Sequence, residues 1–410
     1  MHPTNPNDSL PLRVMFLVTS MPVGGAETLL LNLARGMDKQ RFAPKIACLK
    51  ERGPLGEELA GEMPVHSGLL ASKFDVRVLP RLWRLMRQQK TDAVITVGAG
   101  DKMFWGRLAA RLAGVPVVMS ALHSTGWPDS VGRLNRLLTL LTDAFIGVAD
   151  AHAEHLVAHE VFPREKVFTI YNGVDTDRFA PGDGQAVRRE LGLPEGVPVV
   201  GILAALRPEK NHELFLKGAQ QILRDVPTAQ FVIIGDGPRR GELQRLALEL
   251  DIASSTHFLG SRHDIPKLLQ SLDLLALTSH NEASPVSILV SLSCGVPVVS
   301  AEVGSVRETV VPGKTGLLFP SGDVSRYLAR VLELLQNADG CARLGRSGRQ
   351  IVINRWSLAA MVAGYETLIS RLHTSKTRGS MRQNVAEVIT SRTTESGRSW
   401  ISWRLFSRVF

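Results

Sequence analysis

Apolar runs alternate with amphipathic stretches along the chain, and the alternation occurs twice. In the first half, RVMFLVTS (13–20), APKIACL (43–49), DAVITVG (92–98), VPVVMSA (115–121), DAFIGVA (143–149) and KVFTIYN (166–172) read as strands. Helical spacing occupies 26–37, 76–89, 102–113 and 131–141 between them. Continuous apolar strands separated by helices predict a parallel sheet covered on both faces. The stretch DRFAPGDGQAVRRELGLPEGVP (177–198), dense in Gly, Pro and charge, predicts an interdomain connection. The pattern then restarts with VPVVGILAA (197–205), AQFVIIG (229–235), THFLG (256–260), DLLALTS (273–279) and VPVVSA (296–301), with helices near 211–223, 239–250, 265–271 and 285–293. RWSLAAMVAGYETLISRLH (355–373) predicts a last amphipathic helix. Two successive doubly wound α/β units follow from this order. Ligands of such sheets sit beyond the carboxyl ends of the strands, so two units facing each other place a ligand in the cleft between them.

Composition supports this and narrows the partners. The chain has 410 residues, 44% hydrophobic and 21% charged, which suits a globular protein of two or three domains. Its net charge of +9 is uneven: residues 1–180 carry 21 Lys+Arg against 18 Asp+Glu, residues 181–373 carry 20 against 19, and residues 374–410 carry 7 against 2. The body is nearly neutral, which argues against nucleic acid as a partner. Cys48, Cys294 and Cys341 are far apart and show no metal-ligand spacing, which fits a reducing, cytosolic setting. The apolar run Val14–Val18 is too short for a signal peptide, and no window approaches the roughly 20 apolar residues of a membrane span. In the basic tail, Trp400, Trp403, Phe406 and Phe410 recur among Arg398, Arg404 and Arg408, a spacing that suits an interfacial helix on an anionic membrane or a disordered tail. The 76–89 helix carries Arg77, Arg81 and Arg84 beside Leu82, Trp83 and Leu85, as either a membrane-facing or an ordinary exposed helix would.

The loops after the strands hold the candidate chemistry. Gly24 and Gly25 let the backbone pass close to a ligand or simply turn the chain, ahead of a helix whose free N–H groups would meet an anion. Arg207 and Lys210 stand together before a helix capped by Asn211; two cations there would neutralise a diphosphate, or form a solvated turn. Gly235, Gly237 and Gly241 miss the G-x-G-x-x-G spacing by one residue, which disfavours a dinucleotide cofactor and a dehydrogenase. Asp175 and Asp177 have a D-x-D spacing, but beside Asn172-Gly173 they read as turn residues rather than metal ligands. His123 ends an apolar strand, where it would contact a polar ligand, move a proton or bond the backbone. In HNEASPVSILVSLSCGVPVV (280–299), Ser284 suits an N-cap, Pro285 the first helical position, and Gly295 with Pro297 the stop. Glu282 would sit beside that helix tip, where a sugar hydroxyl can donate to it, and Ser305 and Glu308 of the next loop are placed to reach the same pocket.

GGAE (24–27), His123, NGVDTDRF (172–179), RPEKN (207–211), GDGP (235–238), FLG (258–260), EASP (282–285), CGVPVV (294–299) and GSVRE (304–308), in this order, resemble glycosyltransferase family 4, across roughly residues 12–373. The resemblance implies the GT-B fold: an acceptor-side Rossmann-like domain (1–182), a nucleotide-sugar-binding Rossmann-like domain (183–356), and a helix crossing back to the first domain (357–373), followed by the tail (374–410). It implies transfer of a sugar from a nucleotide diphosphate sugar to a glycan or lipid-linked acceptor with retained anomeric configuration. No metal and no cofactor are implied, and the surroundings are cytoplasmic with a possible peripheral contact with the inner face of the membrane. Gly24 and Gly25 would approach the donor phosphate and acceptor side, His123 the transferred sugar, Lys210 the diphosphate and Glu282 the sugar hydroxyls. Ser284 and Pro285, the helix-tip amides of Pro285's neighbours beginning with Val286, and Gly237 and Glu308 would complete the donor site.

Two positions depart from the family's pattern. Ala205 stands where an Arg is frequent, with Arg207 two residues on as its substitute. Val290 stands where the family's E-x7-E motif places a second Glu that accepts hydrogen bonds from the ribose. Losing hydrogen bonds to a charged group costs on the order of 1.5–3 kcal/mol. This predicts weakened donor binding, and it motivates an alternative reading: a non-catalytic homologue that binds sugar nucleotides or a partner. A nucleotide-sugar epimerase of the same fold is a more distant alternative.

Overall fold

The computed structural model describes residues 10–72, 75–98, 101–123 and 137–395. The first domain is built on β1 (Leu12–Val18), β2 (Phe42–Cys48), β3 (Val65–His66), β4 (Ala93–Val97), β5 (Val117–Leu122), β6 (Ala144–Gly147) and β7 (Val167–Thr169). They form one parallel sheet in the order β3-β2-β1-β4-β5-β6-β7. Its helices are α1 (Gly25–Gly36), α2 (Gly53–Ala60), α3 (Val78–Gln88), α4 (Asp101–Leu112) and α5 (Asp150–Ala158). The second domain carries β8 (Val199–Leu203), β9 (Gln230–Ile234), β10 (Thr256–Gly260), β11 (Leu274–Leu277), β12 (Val298–Ala301) and β13 (Gly316–Phe319), parallel in the order β10-β9-β8-β11-β12-β13. Its helices are α6 (Gln185–Glu190), α7 (His212–Asp225), α8 (Arg240–Glu249), α9 (Ile265–Gln270), α10 (Val286–Ser293), α11 (Val306–Thr309), α12 (Val324–Leu335) and α13 (Ala338–Arg355).

Burial explains the continuous apolar strands. Every residue of β4, β5 and β11 is buried, because helices cover both faces of each sheet. In each sheet the strand order reverses between two neighbours, β1 and β4 in one and β8 and β11 in the other. The loops leaving these strands open the crevice where ligands bind in doubly wound sheets. Those leaving β1, β8 and β11 are among the loops that the sequence singles out.

The two domains are tied together at the C-terminal side. Val174 donates its N–H to the Trp356 carbonyl at 2.9 Å and accepts from Leu358 at 2.8 Å. The chain then crosses back as α14 (Leu358–Glu395). Met361, Val362, Tyr365, Leu368 and Ile369 of this helix join Leu29, Leu30 and Leu33 of α1 in the first domain's core.

Several elements differ from the sequence reading. Arg355 ends α13 instead of opening the last helix, and α14 runs past His373 to Glu395. The run contains no proline, and Lys376 adds an ion pair to Asp143 at 2.8 Å, so nothing local stops the helix at 373. Of the expected 131–141 helix, 131–136 lie outside the described residues, Leu137 is α-helical and Leu138–Leu141 form a turn of 3-10 helix. The two-residue β3 and the four-residue β13 were not expected, since runs this short carry no readable period. Trp400, Trp403, Phe406 and Phe410 lie outside the described residues.

Candidate active site

The second domain's half of the site starts where β8 ends. The chain turns through Ala204–Arg207 and a 3-10 turn at Pro208–Lys210 into Asn211, whose φ of 48° and ψ of 53° reverse its direction. Asn211 caps α7 as expected, its side chain accepting from the Leu214 N–H at 3.4 Å. Thr278, just beyond β11, donates its hydroxyl to the Asn211 carbonyl at 2.9 Å and so joins the two switch-point loops. Gly237 has a packing reason of its own: a Cβ there would lie 2.6 Å from the Leu206 carbonyl oxygen.

This arrangement brings Lys210 and Glu282 into direct contact, Nζ to Oε1 at 2.6 Å. The Ser279 hydroxyl donates to the same oxygen at 2.7 Å. Glu282 is buried and Lys210 is about one quarter exposed, so the pair sits at the cleft wall with its cation on the open side. Arg207 is exposed beside it and makes no ion pair among the described residues. The loop 304–308 supports Glu282 from behind. Ser305 donates its N–H to the Glu282 carbonyl at 3.4 Å and its hydroxyl to the Ala283 carbonyl. Gly304 has a φ of +51° there, and a Cβ on it would fall 1.7 Å from the Glu282 carbonyl oxygen.

The helix tip beyond Glu282 corrects one expectation. Pro285 is the N-cap of α10, with φ −72° and ψ 111°, and not its first helical residue; Ser284 stands outside the helix. No side chain caps α10, so its tip remains open to the cleft. The Ser284 carbonyl accepts from the buried Asn172 side chain at 3.2 Å, which bolts this tip to the linker motif. The turn-forming sequence context of Asn172 gave no sign of this contact. Asp175 serves its turn, accepting from the N–H groups of Asp177 at 3.1 Å and Arg178 at 2.9 Å.

Across the cleft stands the tip of α1, with extended Gly24 as its N-cap and no side-chain cap. A Cβ on Gly25 would come within 4.0 Å of the Val286 side chain. Two helix N-termini thus oppose each other at the interdomain crevice, and both dipoles favour an anion between them. Below Gly24, a cavity of about 120 Å³ opens at the ends of β1, β4 and β5, lined by Thr19, Ser20, Glu27, Gly98 and His123 among others.

Two predicted residues are placed elsewhere. Glu308 spans the cleft and accepts from the N–H groups of Asp150 at 3.1 Å and Ala151 at 2.7 Å, the first amides of α5. A carboxylate completes an open helix tip, so Glu308 joins the domains here instead of lining Glu282's pocket. Val290 is 5% exposed and packs in the second domain's apolar cluster with Ile288, Leu289 and Leu292. The structure therefore makes it a core position, and only its edge is open to a ligand. Arg355 adds a further tie between the domains: its guanidinium lies 4.5 Å from the Tyr171 ring centre and donates to Asp150 at 3.2 Å.

His212 was not singled out from sequence. It is fully buried at the start of α7, with neither ring nitrogen hydrogen-bonded to the described residues. Burial pushes its pKa down to about 4; adjacent Glu213 opposes this, while Arg239 and Lys210 reinforce it. In the unfolded chain an imidazole titrates near 6.5. Between these values the unfolded chain binds a proton that the folded one does not. The stability contributed by neutral His212 is therefore complete above about pH 6.5 and is lost as pH falls toward 4, about 3 kcal/mol in all. Urea melts across that range should show this slope, and His212→Gln should flatten it.

A family model described as Glycosyltransferase Family 4 matches residues 23–178, and one described as Glycosyl transferases group 1 matches residues 183–351. The chain is 27% identical over 330 residues to the UDP-Gal:alpha-D-GlcNAc-diphosphoundecaprenol alpha-1,3-galactosyltransferase of Escherichia coli, covering 76% of this chain and 85% of that one. It is 28% identical over 306 residues to the GDP-mannose-dependent alpha-(1-6)-phosphatidylinositol monomannoside mannosyltransferase of Mycolicibacterium smegmatis, covering 72% and 80%. Among solved structures, Anabaena HepE in complex with UDP and glucose matches with a TM-score of 0.78 at 21% identity, over 88% of this chain and 99% of that one. WaaG, a glycosyltransferase involved in lipopolysaccharide biosynthesis, matches with a TM-score of 0.70 at 13% identity, over 87% and 99%. Both structural likenesses show the GT-B fold.

Proposed function

The chain belongs to glycosyltransferase family 4, and from that premise we propose that it is a retaining enzyme moving a sugar from a nucleotide diphosphate to a glycan or lipid-linked acceptor, in surface polysaccharide or glycolipid synthesis. The observation that carries this reading is the cleft itself. Two open helix tips, at Gly25 and Val286, face each other beside the Lys210–Glu282 pair.

A diphosphate in this position meets the α1 and α10 amides on two sides, with Lys210 and exposed Arg207 on a third. As the bond from the anomeric carbon to the diphosphate breaks, negative charge grows on the departing oxygen. Fixed dipoles and cations stabilise that charge with no reorganisation. In the retaining course, the acceptor hydroxyl forms the new bond on the face the diphosphate leaves, and its proton passes to the departing phosphate oxygen. These cations act in place of a metal, and no cofactor takes part. Glu282, already pointing at Lys210, accepts from hydroxyls of the transferred sugar, and His123 approaches that sugar from the first domain's side. The acceptor class draws support from the E. coli and M. smegmatis relatives, whose names specify a diphosphoundecaprenol and a phosphatidylinositol mannoside.

The decisive experiment incubates the protein with a panel of UDP- and GDP-sugars and acceptors of both types, and reads the anomeric configuration of the product by NMR. Product of inverted configuration overturns the retaining mechanism. Binding of UDP without turnover of any donor supports instead the non-catalytic reading that Val290 motivates.

We also place the protein on the cytoplasmic face of a membrane, held at its surface. Among the described residues no helix is long and apolar enough to cross one. The support lies on α3 and its neighbour α4. From Val76 to Thr91 there is no acidic residue, Arg77, Arg84 and Arg87 are exposed, and Trp83 (41%), Val76 (67%) and Leu112 (59%) are open to solvent. Each cation near an anionic surface contributes about 1 kcal/mol. Arg84→Ala/Arg87→Ala should therefore weaken binding to phosphatidylglycerol vesicles roughly thirtyfold, measured by sedimentation. Equal binding of both proteins excludes this face.

A further inference from the structure

The segment 304–308 is anchored at both of its ends, and the donor chemistry accounts for one anchor only. At the first end, the Ser305 N–H meets the Glu282 carbonyl at 3.4 Å and the Ser305 hydroxyl donates to the Ala283 carbonyl. At the other, the Glu308 carboxylate takes two N–H groups of the opposite domain, Oε2 from Asp150 at 3.1 Å and Oε1 from Ala151 at 2.7 Å. Little give lies between the two anchors. Ser305, Val306 and Thr309 are buried, and the Glu308 N–H returns to the Ser305 carbonyl at 2.9 Å. α5 has no capping side chain of its own, since Ala149 is its N-cap, so Glu308 supplies what that tip lacks. A second carboxylate, Asp150, stands at the same tip. Arg355 donates to it at 3.2 Å and offsets the repulsion between the two acids.

We infer that Glu308 is a positioning residue for the transfer: the α5 tip seated on its carboxylate fixes the segment 304–308, and that segment fixes Glu282 against Lys210. This role presupposes the glycosyltransferase reading, and it acts through Glu282 without a contact to the donor. Glu282 is held from behind by backbone contacts, so whatever moves Ser305 moves the carbonyl it supports. With α5 seated, both ends of the segment are pinned and the Glu282 carboxylate keeps its bond to Lys210 at 2.6 Å. With α5 withdrawn, Glu308 exchanges two amides for water and the segment keeps one anchor. The donor-side carboxylate is therefore in register only while the first domain is docked on the second, the arrangement in which donor and acceptor meet.

Full-length wild type, Glu308→Ala and Glu308→Gln are compared, each saturated with UDP, by hydrogen exchange read by mass spectrometry, and separately by UDP titration and turnover. Glu308→Ala should speed exchange about tenfold in the first turn of α5 and in peptides covering 279–286 and 302–307, as loss of a carboxylate from a partly buried helix tip does. It should lower kcat by about the same factor and leave UDP affinity and the donor KM within about twofold. Exchange in β8 and β11 should not change, which shows that the second domain stays folded. Glutamine keeps one acceptor oxygen, so Glu308→Gln should recover part of both effects. Arg355→Ala leaves Asp150 uncompensated beside Glu308 and should speed exchange in the same peptides. Faster exchange at α5 alone would overturn the inference, since Glu308 would then tie the domains and nothing more. A loss of UDP affinity equal to the loss of kcat would also overturn it, because Glu308 would be a donor contact. Absence of turnover with every donor strikes the transferase reading, whereas exchange at 279–286 and 302–307 answers for Glu308.

Discussion

Lys210→Ala should lower kcat by about 10²–10³-fold with a natural donor, the range seen when one preorganised stabiliser of developing charge is removed. Lys210 stands at the open side of the cleft wall, where a departing diphosphate would meet it. The substitution has a second consequence, because Lys210 also neutralises a buried carboxylate at 2.6 Å. Removing one partner of a buried pair destabilises by roughly 3–5 kcal/mol, as the remaining charge is left without compensation. Lys210 is partly exposed and Ser279 still donates to Glu282, which points to the lower end of that range. The two consequences separate in the double variant Lys210→Ala/Glu282→Gln. Its glutamine carries no charge to strand, so stability should largely return in urea melts while kcat stays well below that of Glu282→Gln alone. If kcat returned with stability, Lys210 would be a structural residue and not a participant in the reaction.

The other large effect is expected at a residue with no side chain. Gly304→Ala should reduce turnover on the order of 10²-fold, as a misplacement of about 1 Å at a reacting site does. Its φ of +51° lies in the left-handed region, and its Cβ would overlap the Glu282 carbonyl at 1.7 Å. The backbone strain alone costs about 1–3 kcal/mol. Relief requires loop 304–308 to retreat, which breaks the bond from the Ser305 N–H to Glu282 and lets Glu282 shift against Lys210. The measurement is kcat/KM beside thermal melting at a temperature where the variant remains folded. Unchanged kcat/KM in a folded variant would show that the loop adapts and that Glu282 keeps its place without it.

The residues differ in how plainly the sequence announces them. Lys210 and Glu282 each stand in a loop directly after an apolar strand, and parallel sheets place such loops at one edge. Their types and positions were therefore readable. Their contact was not, because 72 residues separate them and only the pairing of β8 with β11 brings the loops together. Gly24 and Gly25 were readable as a close-approach turn, whereas the apposition of Gly25 to Val286 depends on how the domains close. Glu308 shows the limit most clearly. Its loop was recognised, yet its partner is the start of a helix 157 and 158 residues away in the other domain. No local pattern encodes that distance. Ser284 was misread for a different reason. Its side chain is a good cap in isolation, but Pro285 took the N-cap and the Ser284 carbonyl was claimed by Asn172.

By itself, then, the sequence determined the two α/β units, their parallel sheets, the loops that carry chemistry and the family to which the chain belongs. Each of these follows from periodicity and from residue types within a few positions of one another. The tertiary structure alone decided that Val290 is core, that α14 continues to Glu395 and that Glu308 bridges the domains. Those properties depend on which distant surfaces meet, and burial and hydrogen bonding act on spatial neighbours whatever their separation along the chain.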